Sequence, residues 1–124
     1  MTYIALIIGG SVGTLLRYFI GYFCNTYFGT TFPLGTFLVN IIGSFLIGIV
    51  FALSEPFSMS HNLRLFLFTG LFGGFTTFSA FSLDTLHLIQ VQNYKLAFLY
   101  VFGTNIVGLA LVFIGYYLTK TLLK

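Results

Sequence analysis

The residues best able to handle an ion lie between Gly70 and Asp84, in the stretch GLFGGFTTFSAFSLD. Gly73 and Gly74 are poor helix formers and Thr76 and Thr77 are β-branched, so together they predict a break between two half-helices. A break inside hydrocarbon persists only where protein, water or an ion meets the freed N–H and C=O groups, because lipid offers no hydrogen-bonding partner. The break therefore predicts a buried polar site. Phe78 and Phe81 follow at i and i+3, on one face of the second half-helix. Aromatic ring edges carry partial positive charge and the faces negative charge, so edges presented along such a face would suit a small anion.

Three further groups of residues carry chemistry. Thr36, Asn40, Ser44 and Gly48 recur every four positions, giving a small and polar stripe on a helix otherwise made of Leu, Ile, Val and Phe. Asn40 donates two hydrogen bonds and accepts at its oxygen, which fits either an interhelical bond or a place on a pore. Arg17 would be a cation in a span, costing about 2.5 to 3.5 kcal/mol on insertion scales. It marks a pathway or a pair, or else it snorkels to the nearer interface. Tyr100, Thr104 and Gly108 repeat at four-residue steps with Asn105 alongside, a second and weaker hydroxyl stripe. Gly9 and Gly13 form a GxxxG pair, read as close helix packing. His61 and His87 have no metal-ligand spacing and read as interface residues, and Asp84 as a hydrated carboxylate near a membrane surface.

The elements that must position these residues are membrane spans. The chain has 124 residues, of which 58% are hydrophobic and 6% charged, against roughly 25% charged in soluble proteins. Four apolar windows of about the length a bilayer needs run from Tyr3 to Phe23, Leu34 to Leu53, Leu63 to Ile89 and Leu96 to Leu118. The expected fold is all-α: a single polytopic domain, residues 1–124, of four transmembrane helices with the third broken near mid-membrane. No Lys or Arg precedes the first window and no small-residue cleavage pattern follows it, so it reads as a retained span. With four spans, Arg64, Lys120 and Lys124 fall on one side, against Lys95 and Arg17 towards the other. So weak a positive-inside bias is compatible with insertion in either orientation.

Several functions are excluded. The charges form no basic cluster, which removes nucleic-acid binding. Cys24 is the only cysteine, so neither an internal disulfide nor a CxxC site can form. Glu55 and Asp84 are the only acids and neither is mid-span, which leaves no paired-carboxylate chemistry and no embedded proton-exchanging carboxylate for a proton-coupled four-span exporter. A purely structural membrane subunit would not need the glycine and threonine break. A narrow path for a small anion fits best. Four helices are too few to enclose a wide lumen, and no internal repeat is evident, so a path would form against a partner subunit.

The motif GGFTTFSAF at Gly73 to Phe81 resembles that of the small bacterial fluoride channels of the CrcB or Fluc family. Gly9, Gly10, Gly13, Arg17 and Tyr18 resemble the family's first segment, and GTFLVNIIGS at Gly35 to Ser44 its second. The resemblance implies an antiparallel, dual-topology homodimer in the bacterial inner membrane, with fluoride pores and a central structural sodium ion. It maps sodium-binding backbone carbonyls onto Gly73 and Thr76, the pore phenylalanines onto Phe78 and Phe81, the pore asparagine onto Asn40 and a vestibule arginine onto Arg17. Thr36, Ser79 and Tyr100 follow as further pore residues. In segment 4, Thr104 keeps a hydroxyl where the family has a polar track, whereas Gly108 departs from that track and Ala80 replaces a frequent threonine.

Overall fold

The computed structural model describes residues 1–124 and is entirely helical. Helix α1 spans Thr2–Tyr27 and α2 Leu34–Ser54. The third segment comprises α3 (His61–Arg64), a π-helical stretch Leu65–Leu71, α4 (Phe72–Phe75) and, after an interruption at Thr76 and Thr77, α5 (Phe78–Gln90). Helix α6 spans Tyr94–Leu122. Four segments, Thr2–Tyr27, Leu34–Ser54, His61–Gln90 and Tyr94–Leu122, are long and apolar enough to cross a membrane. Polar side chains cap the third and fourth of these: Ser60 Oγ accepts from Leu63 N–H and Asn93 Oδ1 from Leu96 N–H, each at 3.3 Å.

Glycines decide which helices meet. A Cβ at Gly9 would stand 2.5 Å from the Phe66 carbonyl oxygen, and one at Gly74 would stand 2.6 Å from that of Gly10. Helix α1 therefore lies backbone-to-backbone on the π-helical stretch and α4, as its GxxxG pair predicts. Gly48 and Gly115 do the same for α2 and α6, where a Cβ on either would collide with the Val112 or Phe45 carbonyl oxygen. Between the helices lies a small core of Phe81, Leu88, Ala97 and Tyr100, flanked by Phe32 and Phe37. Apolar side chains such as Ile7, Phe19, Phe98, Ile106 and Phe113 remain exposed around the bundle, as lipid-facing positions require.

Two features differ from the sequence expectation. Gly73 and Gly74 are helical, so the interruption is confined to Thr76 and Thr77. Their small size serves the approach of α1 at Gly74 instead of ending the helix. The π-helical stretch Leu65–Leu71 carries no local sequence signal; its Phe66 and Leu71 carbonyls are the groups on which Gly9 and Gly13 of α1 rest.

Candidate functional site

The chain turns extended at Thr76 (φ −78°, ψ 158°) and Thr77 (φ −152°, ψ 117°), and polar groups on both sides of the break take new partners. Thr77 N–H donates to Asn40 Oδ1 at 2.8 Å, and Asn40 Nδ2 donates to Thr77 O at 3.0 Å. The Thr77 hydroxyl caps α5 by accepting from Ala80 N–H at 3.1 Å and lies 3.3 Å from Ser79 Oγ. Thr76 N–H and Oγ1 both donate to Phe72 O, at 3.0 and 2.8 Å.

The pairing with Thr77 fixes the Asn40 amide. A backbone N–H can only donate and a carbonyl can only accept, so a flipped amide would set donor against donor and oxygen against oxygen. Asn40 is therefore an interhelical clamp on the break. It still has one uncommitted N–H, and it lines a cavity of about 280 Å³. The same cavity is bordered by Ser44, Thr76, Thr77, Phe78, Phe81, Thr104, Asn105 and Gly108. Hydroxyl and amide side chains share this wall with the two phenylalanine rings and with Leu109 and Val112, and no acidic side chain reaches it.

The two phenylalanines, expected on one face, differ in environment. Their ring centroids are 5.5 Å apart, yet Phe78 is 77% exposed whereas Phe81 is 8% exposed. Phe81 packs on Tyr100 at 5.1 Å, and Phe32 meets Tyr100 edge-on at 5.5 Å, an aromatic series running inward from the cavity. Tyr100 is fully buried and donates its hydroxyl to Asp84 Oδ2 at 3.1 Å, with Thr36 beside it. Asp84, half-buried, thus accepts from a core tyrosine, a partner the sequence did not reveal.

Of the predicted site residues, Asn40, Thr76, Phe78, Phe81 and Thr104 come together at the cavity. Thr36 and Tyr100 belong to the neighbouring Asp84 cluster, and Ser79 is exposed beside the Thr77 hydroxyl. Gly73 and Thr76 share an adjoining hollow of about 170 Å³ with Gly43, Ser44 and Phe72. Arg17 is half-buried on α1 and lies outside the cavity wall. Thr77, Ser44, Asn105 and Gly108 were not predicted as site residues; the four-residue stripes on α2 and α6 were the only signals for Ser44 and Gly108. At the far end of the bundle Glu55 pairs with Lys120 and accepts from Tyr116 Oη at 2.9 Å, which holds its carboxyl below the usual carboxylate range. No cluster of His, Cys, Asp or Glu able to ligate a metal is present.

Residues 4–116 match the family described as CrcB-like protein, Camphor Resistance (CrcB). A fluoride-specific ion channel FluC of Parabacteroides distasonis is 48% identical over 118 residues, covering 95% of this chain and 92% of the relative. The relative of the same name from Hydrogenobaculum sp. is 44% identical over 119 residues, covering 95% and 97%. That of Helicobacter acinonychis is 47% identical over 115 residues, covering 91% of each.

Proposed function

Because the chain belongs to the CrcB-like family, we propose that it is a fluoride-specific ion channel through which fluoride leaves the cell passively, lowering cytoplasmic fluoride. The observation that carries this reading is the locked Asn40 amide, which keeps its remaining N–H available beside the rings of Phe78 and Phe81. Fluoride is small and strongly hydrated, so replacing its water calls for several close donors in a narrow passage. Thr104, Thr36, Ser79 and Tyr100 extend the polar lining. Arg17 lies outside the cavity and serves at a vestibule, raising the potential for an anion.

The functional unit is an antiparallel homodimer in the bacterial inner membrane, embedded in the lipid bilayer. Its support is the weak charge bias of the loops and the exposure of Phe78, a large ring on the cavity rim that its own chain leaves mostly uncovered. The third segment's break then lies near mid-membrane, where a structural sodium ion would be held by the Gly73 and Thr76 carbonyls of both copies. The hydrogen bonding fits such an ion. In a continuous helix Gly73 O would accept from Thr77 N–H and Thr76 O from Ala80 N–H. Those donors are taken by Asn40 and by the Thr77 hydroxyl, leaving both carbonyls free for a hard cation.

Fluoride efflux from liposomes containing the purified protein, with and without excess chloride, tests the proposal. Passive, chloride-insensitive efflux is expected. Fluoride accumulation driven by a pH gradient at clamped voltage would instead identify a proton-coupled carrier.

A further inference from the structure

The hollows between α2 and α6 are joined end to end. The cavity beside the helix break shares Val112 with a groove of about 400 Å³ lined by Ile47, Phe51, Phe68, Phe113 and Tyr116. That groove shares Tyr116 and Tyr117 with a hollow of about 540 Å³ at the end of the bundle, bordered by Glu55, Lys120 and Lys124. One depression thus leads from Asn40 to one end of the spans.

Near that end the groove is crossed by a row of rings drawn from three segments. Phe51 of α2 meets Phe68 of the third segment edge-on at 6.4 Å and Tyr116 of α6 at 5.9 Å. A cation stands over each end of the row: the Arg64 guanidinium is 5.6 Å from the Phe68 centroid, and Lys120 Nζ is 5.8 Å from that of Tyr116. Ring faces are negative and attract both cations, which holds two flexible side chains beside the groove. Glu55 pairs with Lys120 and accepts from Tyr116, tying that end of the row further, whereas Arg64 has no carboxylate partner. With Lys124, this end of the groove has three cationic side chains against one carboxylate.

We infer that Arg64 and Lys120, held over Phe68 and Tyr116, form with Lys124 an anion-collecting mouth from which fluoride passes along the groove between α2 and α6 to the cavity beside Asn40. This inference rests on the channel reading above. A positive mouth with apolar walls concentrates anions locally and speeds their arrival to the extent that its charge is unscreened. It attracts any anion, so discrimination among halides is left to the cavity. In the proposed antiparallel dimer this end of one copy opens on the same face as the far end of the other, towards which Arg17 lies, so both faces gain such a mouth.

Initial rates of fluoride efflux from liposomes of zwitterionic lipid, at low salt and with about 0.5 M potassium gluconate on both sides, test the assignment, because the added salt shortens the reach of charge to a few ångströms. The parent rate should fall as salt is raised. Arg64→Gln and Lys120→Gln are each expected to slow efflux about threefold at low salt, and the two together about tenfold, with the differences from the parent closing at high salt. Arg64→Lys and Lys120→Arg keep the charge and should stay within about twofold of the parent. Glu55→Gln breaks the same tie as Lys120→Gln but keeps the cation, and should not slow efflux. A parent rate indifferent to salt, a parental rate in the double Gln variant at low salt, losses equal at both salt concentrations, or a loss in Glu55→Gln matching that in Lys120→Gln would each overturn the proposal. Absence of fluoride efflux from the unmodified protein would instead overturn the channel reading on which it depends.

Discussion

Asn40 and Thr77 make opposite demands on any substitution, because one amide meets both a backbone N–H and a backbone C=O. Asn40→Asp keeps an acceptor for Thr77 N–H but has no donor for Thr77 O and, when ionised, puts a negative charge beside the anion path. Fluoride flux should fall well below that of Asn40→Ser, which retains one donor. Equal flux in the two variants would leave Asn40 with the clamp alone. The phenylalanines separate in the same way. Phe81 is packed on Tyr100, so Phe81→Ile should lower both flux and thermal stability, the latter by roughly 0.5 to 1.5 kcal/mol for the aromatic pair. Phe78 is mostly exposed in the single chain, so Phe78→Ile should lose flux while the melting temperature of the detergent-solubilised protein holds. A melting temperature that fell equally in both would contradict this division.

Helices α1, α4 and the π-helical stretch are held by glycine contacts, and here two adjacent glycines give opposite predictions. A Cβ at Gly74 would press on the Gly10 carbonyl, whereas at Gly73 nothing lies closer than Phe68 O at 4.0 Å. Gly74→Ala should therefore destabilise the single chain and reduce its yield from the membrane. Gly73→Ala should leave the monomer fold intact and act only on the paired carbonyls, seen as weaker dimer retention on size exclusion in low sodium. An unstable Gly73→Ala monomer would remove that distinction. At the opposite end, α2 and α6 are tied by Glu55, whose lowered pKa means the tie is present above the ordinary carboxylate range and is lost as pH falls through the lowered value. Thermal melts from neutral pH down to about pH 3, spanning the ordinary carboxylate pKa, should show this acid-side loss in the parent and a flatter profile in Glu55→Gln.

For the whole molecule, topology is the decisive property. Arg64, Lys120 and Lys124 barely outweigh Lys95 and Arg17, so chains inserted in both orientations are expected. A cysteine placed after Lys124 in a Cys24→Ser background, where it is the only thiol, should be modified from both faces of intact cells. Modification from one face only would be incompatible with antiparallel pairing. In the proposed antiparallel dimer a second copy would supply what one chain lacks, since neither an internal repeat nor enough helices to enclose a path is present.

Composition and hydropathy determined the all-helical, four-span architecture, because a chain this apolar can satisfy its backbone in lipid only by forming helices. The glycine and threonine run placed the break within a few residues, and the GxxxG pair foretold close packing of α1. Local propensity could not decide between Gly73 and Thr76 as the point where the helix ends. That choice came from Asn40, 37 residues away, capturing Thr77 N–H, and from the Thr77 hydroxyl capturing Ala80 N–H. The i and i+3 spacing placed Phe78 and Phe81 on one helix face, but only the packing of α5 against α6 buried one ring and left the other exposed. The partner of Asp84 also depends on where distant helices cross. Periodicity shows which residues share a face, and the glycine contacts that set helix spacing decide what that face meets.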